Sequence, residues 1–567
     1  MQMESPDGHH NGFIENARPD TDQSANGQSG VTRRRLIELG TRGALLLGGA
    51  TLLDACGSTS TSSVSTASAM PSAAPGGTPV VGGTFTAGLI TGGTAETINP
   101  GLASYYPDIL RVWQLYDPLF EVGPNLAMVP RLAVSAEPNK DATVWTFRLR
   151  SGVVWHDGKP FTADDVVYTF RGWANPTNLG GLYTTGLIDY KGVRKRDSLT
   201  VEVPLTAAVA DLPSLLGTDN QMIIQDGATT GQLNTKPVGT GPFKFVSFQP
   251  GSHSVFVANR EYWEHPKPYV DQVVVDSSFT DETSRLNALL SGTINVLPAL
   301  PPVEAKNQLG NSNMRVLRAR SGSGEYFCMR VDAAPFNDVR VRTAMKLIAD
   351  RPALIEGALD GFAQVGNDLL GKGCPYYDGS LVHPHDPEMA KSLLKAAGRE
   401  GLTFKLPTAP AGPGYVEAAT LFAEQATAAG VNVIVEQIPT GVYFAYADGY
   451  LKRPIQESQQ FASPTLTAAY RGYTSPNAPY NETSWGSQPG AARANKLLAA
   501  AIAEQDPAKA QDLWTDVQTL QFNEGGYVMW CYSDNLDAVA TNVRGLRTSN
   551  PTYLNDYRLV DGWIAKS

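Results

Sequence analysis

The sequence predicts an α/β protein of more than one domain, and three observations carry that prediction. Segments with the two-residue period of a half-buried strand alternate with segments of helical period. The chain has 567 residues, more than one hydrophobic core supports, and the part after a short leader points to two or three domains. Its 55 glycines and 39 prolines supply the turns that many short elements need.

The leader comes first. Thr32-Arg33-Arg34-Arg35-Leu36-Ile37 precedes an apolar run, Gly43–Leu53, of 11 residues. A membrane-crossing helix needs about 20 apolar residues, so the run is too short to span. Basic cluster, short apolar stretch and small residues in that order are the layout of a signal peptide over residues 1–55. The paired arginines resemble a twin-arginine signal, although Glu38 stands where such signals often carry lysine. Leu53-Asp54-Ala55-Cys56 resembles the lipobox at which lipoproteins are cleaved and lipidated, which makes Cys56 the expected lipid anchor. Of the 27 residues from Gly57 to Gly83, 23 are Gly, Ser, Thr, Ala or Pro. Such a stretch buries too little apolar surface to order itself, so residues 56–83 are expected to be a flexible tether.

The elements then follow in order. Thr84–Ile90 reads as a strand, 91–100 as a loop and 109–116 as a helix. Val144–Arg150 alternates apolar and polar residues, as a half-buried strand does. After a turn over 152–160, Thr162 with Asp165 three positions on is a capping-box-like helix start, and Val166 and Phe170 share one face. Asp164 and Asp165 complement the positive end of that helix. Val273–Val275 is strand-like, and Thr283–Leu290 a helix ended by Gly292. Tyr326–Val331 is a strand, and a helix from Asn337 carries Val341, Ala344, Met345 and Ile348 on one stripe. Asp386 caps a helix with Pro387 at its first position and Gly398 past its end. Leu421–Ala429, Gly430 and Val431–Val435 make a helix-to-strand pair.

The full chain carries 45 Lys+Arg and 55 Asp+Glu. Without the leader the balance stays acidic, and no basic face suggests nucleic-acid binding. Beyond Cys56 there are three cysteines, Cys328, Cys374 and Cys531, so at most one internal disulfide can form. Each is expected to be a small buried residue. His383-Pro384-His385 is a close histidine pair, but the intervening proline and Asp386 as a helix cap favour a plain loop over a metal site. Gly239-Thr240-Gly241 is followed by Pro242, which offers no N–H to a phosphate, so it is not a nucleotide loop. No G-x-S-x-G, H-E-x-x-H or Walker motif occurs. These motifs give no reason to expect an enzyme, a cofactor or a metal.

Several stretches resemble the family 5 extracellular solute-binding proteins, the peptide, nickel and oligosaccharide receptors of ABC importers. Gly82-Gly83-Thr84-Phe85 and Thr97–Pro100 match the family's opening strand and loop. Tyr116–Phe120, Trp145–Arg150 and Trp155-His156-Asp157-Gly158-Lys159-Pro160-Phe161 with Thr162–Val166 match its signature region. Pro237–Phe243, Asn259–Trp263, Pro335–Arg342 with Asp350-Arg351, and Asp386–Ala390 with Ala397-Gly398 follow in the family's order. The resemblance spans about residues 82–440. It implies a two-lobed periplasmic-binding-protein fold (type II, cluster C-like) with an extra subdomain on lobe one. Lobe one would take residues 80–122, 233–322 and 533–567, the extra subdomain 123–232, and lobe two 323–532. Gly322 and Gly324 are hinge candidates. The implied partners are a peptide or other small-molecule ligand, permease subunits, and the membrane through Cys56. A monomer is expected.

In the family's peptide receptors, an acidic residue of lobe two near an Asp-Pro or Glu-Pro step holds the peptide's ammonium. The matching stretch here, Gln459–Pro464, has no acid between Ser458 and Tyr470, and a shifted match would bring in Glu457. A buried ammonium without a carboxylate is costly, so a sugar or a blocked peptide stands beside a free peptide as the expected ligand. The ligand candidates are Gln460, Phe461, Ser463, Arg471, Tyr473 and Trp485 on lobe two, with Arg471 placed to pair a ligand carboxylate. Thr94, Glu96, Tyr105 and Tyr106 are the candidates on lobe one, with Glu96 placed to receive a cationic group. An exported hydrolase or an adhesion lipoprotein on the same scaffold is the alternative of another class.

Overall fold

A computed structural model describes residues 73–217, 219–444 and 449–566. The twin-arginine leader (1–55) and Cys56 lie outside the described residues.

Two sheets form the centres of two α/β lobes. The larger has seven strands in the order Met314–Ala319, Asn535–Ala540, Val296–Leu297, Thr84–Ile90, Gln272–Phe279, His253–Ala258 and Phe243–Phe248. Thr84–Ile90 runs parallel to Gln272–Phe279 and to Val296–Leu297, and the remaining neighbours are antiparallel. The second sheet has four antiparallel strands in the order Ala363–Val365, Tyr527–Ser533, Gly324–Met329 and Ile455–Gln460. Its two central strands are buried along their whole length, because helices Val339–Ile348 and Arg351–Leu359 pack beside them. A third, four-stranded antiparallel sheet, Ala133–Pro138, Val144–Leu149, Thr200–Pro204 and Arg194–Asp197, carries the helix Ala163–Gly172.

The chain passes directly between the two large sheets twice. Met314–Ala319 is followed by Gly324–Met329, and Tyr527–Ser533 by Asn535–Ala540. Both passages are laced together. Ser533 N–H donates to the Ser323 carbonyl at 2.9 Å, the Gly322 N–H to Asn550 Oδ1 at 2.8 Å, and Ser321 Oγ to the Asn550 carbonyl at 2.7 Å.

Local sequence explains the helix starts. Thr162 and Asp165 close a reciprocal capping box. Asp386 Oδ1 accepts the Met389 N–H at 2.8 Å ahead of Pro387–Ala396. The helix expected from Asn337 begins at Val339, with Asp338 as its cap. All four stripe residues are buried. The strand expected over Tyr326–Val331 starts two residues earlier, at Gly324.

One other expectation is corrected. The tether is not free up to Gly83: Ala74 is buried, its N–H donates to the Leu546 carbonyl at 2.7 Å, and the Gly82 N–H reaches Tyr269 at 2.9 Å. The hinge candidates Gly322 and Gly324 have no positive φ in this conformation. A β-carbon on Gly322 would lie 2.3 Å from the Lys372 carbonyl oxygen, and one on Gly324 2.3 Å from Met529 Sδ. Close approach alone therefore calls for glycine at both positions.

Cys328, Cys374 and Cys531 are buried free thiols. His383 Nδ1 lies 2.7 Å from Asp368 Oδ2, and His385 Nδ1 lies 3.0 Å from the Ile348 carbonyl. Among the described residues, no helix is long and apolar enough to cross a membrane.

Candidate functional site

Several helix, strand and turn segments face one loop-and-helix segment, Phe461–Tyr473, across a cavity of about 160 Å³. Tyr106 and Ile109 project from the helix Tyr106–Leu115, Val122 from the end of a short strand, and Tyr183 from the turn after Leu179–Gly181. Ser214, Leu215, Gly217 and Asp219 form one rim. Opposite them stand Phe461–Pro464, then Ala468 and Tyr473 of the helix Leu466–Tyr473. Pro551, Thr552 and Tyr557 close the floor, next to Asn550, which ties the chain crossing at Ser321 and Gly322. A larger groove, about 750 Å³, is lined only by residues 492–524. A cavity of about 360 Å³ lies between Ala210–Asp211 and the stretch from Thr465 to Trp514; the cavity of about 160 Å³ differs from both in being floored beside the chain crossing.

The helix that presents Tyr106 is anchored from beneath. Asp108 accepts the N–H groups of Thr97, Ser104 and Tyr105 at 2.8, 3.3 and 3.3 Å, and pairs with Arg111 at 3.3 Å. Burial still raises the Asp108 carboxyl above its usual range, with those three donors working against it. Tyr106 keeps 39 % of its surface exposed and Phe461 47 %, high values for large rings inside a fold, because both face the opening. Tyr106 meets Tyr553 edge-on at 5.9 Å and Tyr557 at 6.2 Å. Tyr473 accepts the Phe461 N–H at 3.3 Å and stacks on Tyr480 at 5.5 Å, which holds the Phe461 loop against its helix.

Of the residues singled out from sequence, Tyr106, Phe461, Ser463 and Tyr473 line this cavity together. Glu96 must be corrected. It lies beneath the helix in a salt bridge to Arg111 at 2.8 Å, accepting also from Gly92, Gly251 and Ser277 at 2.7, 3.0 and 2.8 Å. Burial works to raise its pKa, but Arg111 and these donors outweigh it and hold the carboxyl below its usual value. It is spent on the fold and cannot receive a ligand cation. Trp485 is also corrected: it is a core side chain packed with Val331 and Ala494. Thr94 lies exposed on a short turn, and Tyr105 caps the helix with its ring against Gly92. Gln460 is buried in its strand, its Nε2 donating to the Gly322 carbonyl at 3.3 Å. Arg471 lies on the outer part of the same helix as Tyr473, half-buried, its pKa lowered by burial and supported by Tyr190. Glu457 is fully buried, accepts Thr408 Oγ1 at 2.8 Å, and is absent from the cavity wall.

Sequence reading missed Tyr183, Asp219 and Tyr557. Each sits in a turn or a single-turn helix, and nothing local marks it; only the fold brings these distant segments to one rim. Asp219 differs from the other wall residues in carrying a charge. Its Oδ1 accepts the Trp113 indole N–H at 2.8 Å. Burial raises its pKa and that hydrogen bond lowers it less. What the arrangement can do chemically is enclose: aromatic walls, a few hydroxyls and one acid, with no nucleophile–base pair among the lining residues.

The comparisons agree with this architecture. The chain is 29 % identical over 343 residues to the dipeptide-binding protein of Escherichia coli, covering 56 % of this chain and 64 % of that protein. It is 30 % identical over 311 residues to the heme-binding protein A of Haemophilus influenzae, covering 50 % and 56 %. The matched stretch thus spans less than two thirds of either relative. Among solved structures, an ABC transporter-associated periplasmic binding protein, DppA, from Helicobacter pylori in complex with the peptide STSA superposes with a TM-score of 0.74. Its identity is 21 %, over 86 % of this chain and 99 % of that one. The description of the bacterial extracellular solute-binding proteins, family 5 (middle region), matches residues 127–451, and the chain belongs to that family.

Proposed function

We propose that the chain is the extracytoplasmic receptor of an ABC importer, capturing a short peptide or similar small polar solute between two lobes that close on a hinge. The carrying observation is the cavity itself, walled by both lobes and floored where the chain crosses between them. Relatives named for dipeptide and peptide binding support the ligand class. Lobe one comprises residues 80–122, 233–322 and 533–567, the extra subdomain 123–232, and lobe two 323–532. Tyr106, Phe461, Ser463 and Tyr473 are the ligand contacts, and closure is a population shift driven by contacts that exist only with ligand between the walls. The leader and Cys56 would export the protein and hold it at the membrane near its permease. An enclosed volume of about 160 Å³, below the several hundred Å³ usual for drug-sized ligands, favours a dipeptide-sized occupant over a long chain.

Thermal-shift screening against dipeptides, longer peptides and saccharides tests this. Short peptides should raise Tm and longer ones should not. Stabilisation by saccharides and by no peptide would replace the peptide reading, and turnover of a stabilising ligand, seen by mass spectrometry, would replace the receptor reading.

A further inference from the structure

Lobe one carries several buried acids beneath the cavity; arginine neutralises four of them, while Asp537 is met by the backbone N–H groups of Ala299 and Leu554. Glu96 and Asp108 pair with Arg111. Asp117 and Glu121 pair with Arg131, and Glu121 also with Arg558. Asp219 stands apart. It is half-buried at the cavity rim, and among the described residues no lysine or arginine forms an ion pair with it. Its position is nonetheless fixed. Trp113 holds Oδ1, and the adjoining Asn220 donates to the carbonyls of Pro100 and Ala103 at 3.0 and 2.7 Å. A carboxylate turned toward an enclosed site without a counter-charge is unfavourable unless something else supplies the cation.

The rest of the wall suits a cation. Tyr106, Tyr183, Phe461, Tyr473 and Tyr557 offer ring faces and edges around the cavity, and ring faces attract cations. No lysine or arginine lines it. The facing segment Phe461–Pro464 brings no acid either. The site therefore has a place for one positive charge and none for a ligand carboxylate.

Resting on the receptor reading above, we propose that Asp219 is the ammonium acceptor of this cleft, and that the ligand is a compact organic cation whose carboxylate, if it has one, is left unpaired. The positive charge thus sits on the lobe-one wall, opposite the segment where the acid was sought from sequence. The shared chemistry is a primary ammonium, carried by the N-terminus of a short peptide or by a free amine.

The test titrates the purified full chain with dipeptides, the same dipeptides amidated at the C-terminus, their N-acetylated forms, and arylalkyl amines. Affinity should fall at least tenfold on N-acetylation and less than threefold on C-terminal amidation. In Asp219→Asn, which keeps the Trp113 hydrogen bond, affinity for free-ammonium ligands should drop to that of the acetylated ones. Binding by dipeptides but not by amines assigns the peptide source; binding by both assigns the ammonium alone. The proposal fails if acetylated and free ligands bind alike, a comparison that needs no variant, or if Asp219→Asn binds free-ammonium ligands as wild type does. Neutral saccharides binding equally to both proteins would also overturn it while leaving the receptor reading intact; binding by no member of any class would overturn both.

Discussion

Asp117 takes donors from three separate stretches of chain. Tyr262 O–H reaches its Oδ1 at 2.8 Å, Trp263 Nε1 and Thr240 Oγ1 reach Oδ2 at 3.0 Å each, and Arg131 lies 3.5 Å away. The neighbouring His156 clamps the same region: it accepts the Gly239 N–H at Nδ1, 3.2 Å, so the ring proton sits on Nε2 and is given to the Gly241 carbonyl at 3.0 Å. Burial pushes that imidazole down to about 4, which keeps it neutral. The motifs that mark the family in sequence thus meet at one buried carboxylate and one neutral histidine, as scaffold and not as ligand site. Asp117→Ala should lower stability by about 3 kcal/mol, because it orphans several buried donors; chemical denaturation would show it, with ligand affinity of the folded fraction little changed. Glu325 gives a second residue-scale test. Burial lifts its carboxyl to about 8, against a Ser533 hydrogen bond that lowers it. The folded protein therefore holds a proton that the unfolded chain releases near 4.5, so stability declines as pH rises from about 4.5 through 8. Glu325→Gln should flatten the fall of Tm between pH 5 and 8.5; an unchanged slope would show that another group dominates.

Elements whose cause is local were legible before the fold. Thr162 with Asp165, and Asp386 with Pro387, announce helix starts because the orphan N–H groups there need an acceptor within three residues. Thr162→Ala should cost about 1 kcal/mol, measurable as a modest fall in Tm without change in ligand binding. The strand Ile455–Gln460 was illegible for the opposite reason. Its sequence, IQESQQ, is polar, yet it is almost wholly buried. Its polar groups are met by distant partners: Glu457 by Thr408, and Ser458 by Glu482 at 2.7 Å. No periodicity records such pairing. The crossing at Ser321–Gly324 was legible as a place but not in its physics. Gly322 faces a backbone carbonyl and Gly324 a flexible methionine. Gly322→Ala should therefore weaken both stability and ligand affinity more than Gly324→Ala, since Met529 can move aside and the Lys372 carbonyl cannot. Equal effects in paired melting and titration experiments would count against close approach as the reason for these glycines.

At the scale of the molecule, half of the cavity could be anticipated from sequence and half could not. Phe461, Ser463 and Tyr473 lie within thirteen residues of one another, so a single matched stretch delivers them. Tyr183, Asp219 and Tyr557 come from separate segments on one side of the cavity, which meet only once the chain has folded. Contacts also join the region of the third sheet to the second sheet's side of the cavity. Thr465 Oγ1 donates to Ser214 Oγ at 2.9 Å, the Ala210 N–H to the Ile502 carbonyl at 2.9 Å, and Gln505 Nε2 to the Lys140 carbonyl at 2.8 Å. Neutral hydrogen bonds of this kind contribute only about 1 kcal/mol each; beside them lies a continuous cluster of buried apolar residues that includes Leu212 and Leu215 on one side and Leu466 and Ile502 on the other, and ligand between the walls would shift the balance between this arrangement and an open one. A cross-link reports on this directly. Ser214→Cys with Thr465→Cys places two thiols where two hydroxyls now touch, within reach of a disulfide only while the lobes are closed. Ligand should speed formation of that bond, and the oxidised protein should release bound ligand at least tenfold more slowly, with reduction restoring the normal rate. Cross-linking at the same rate with and without ligand, and release unaffected by oxidation, would mean that the two walls are permanently joined and that the cleft does not work by closing.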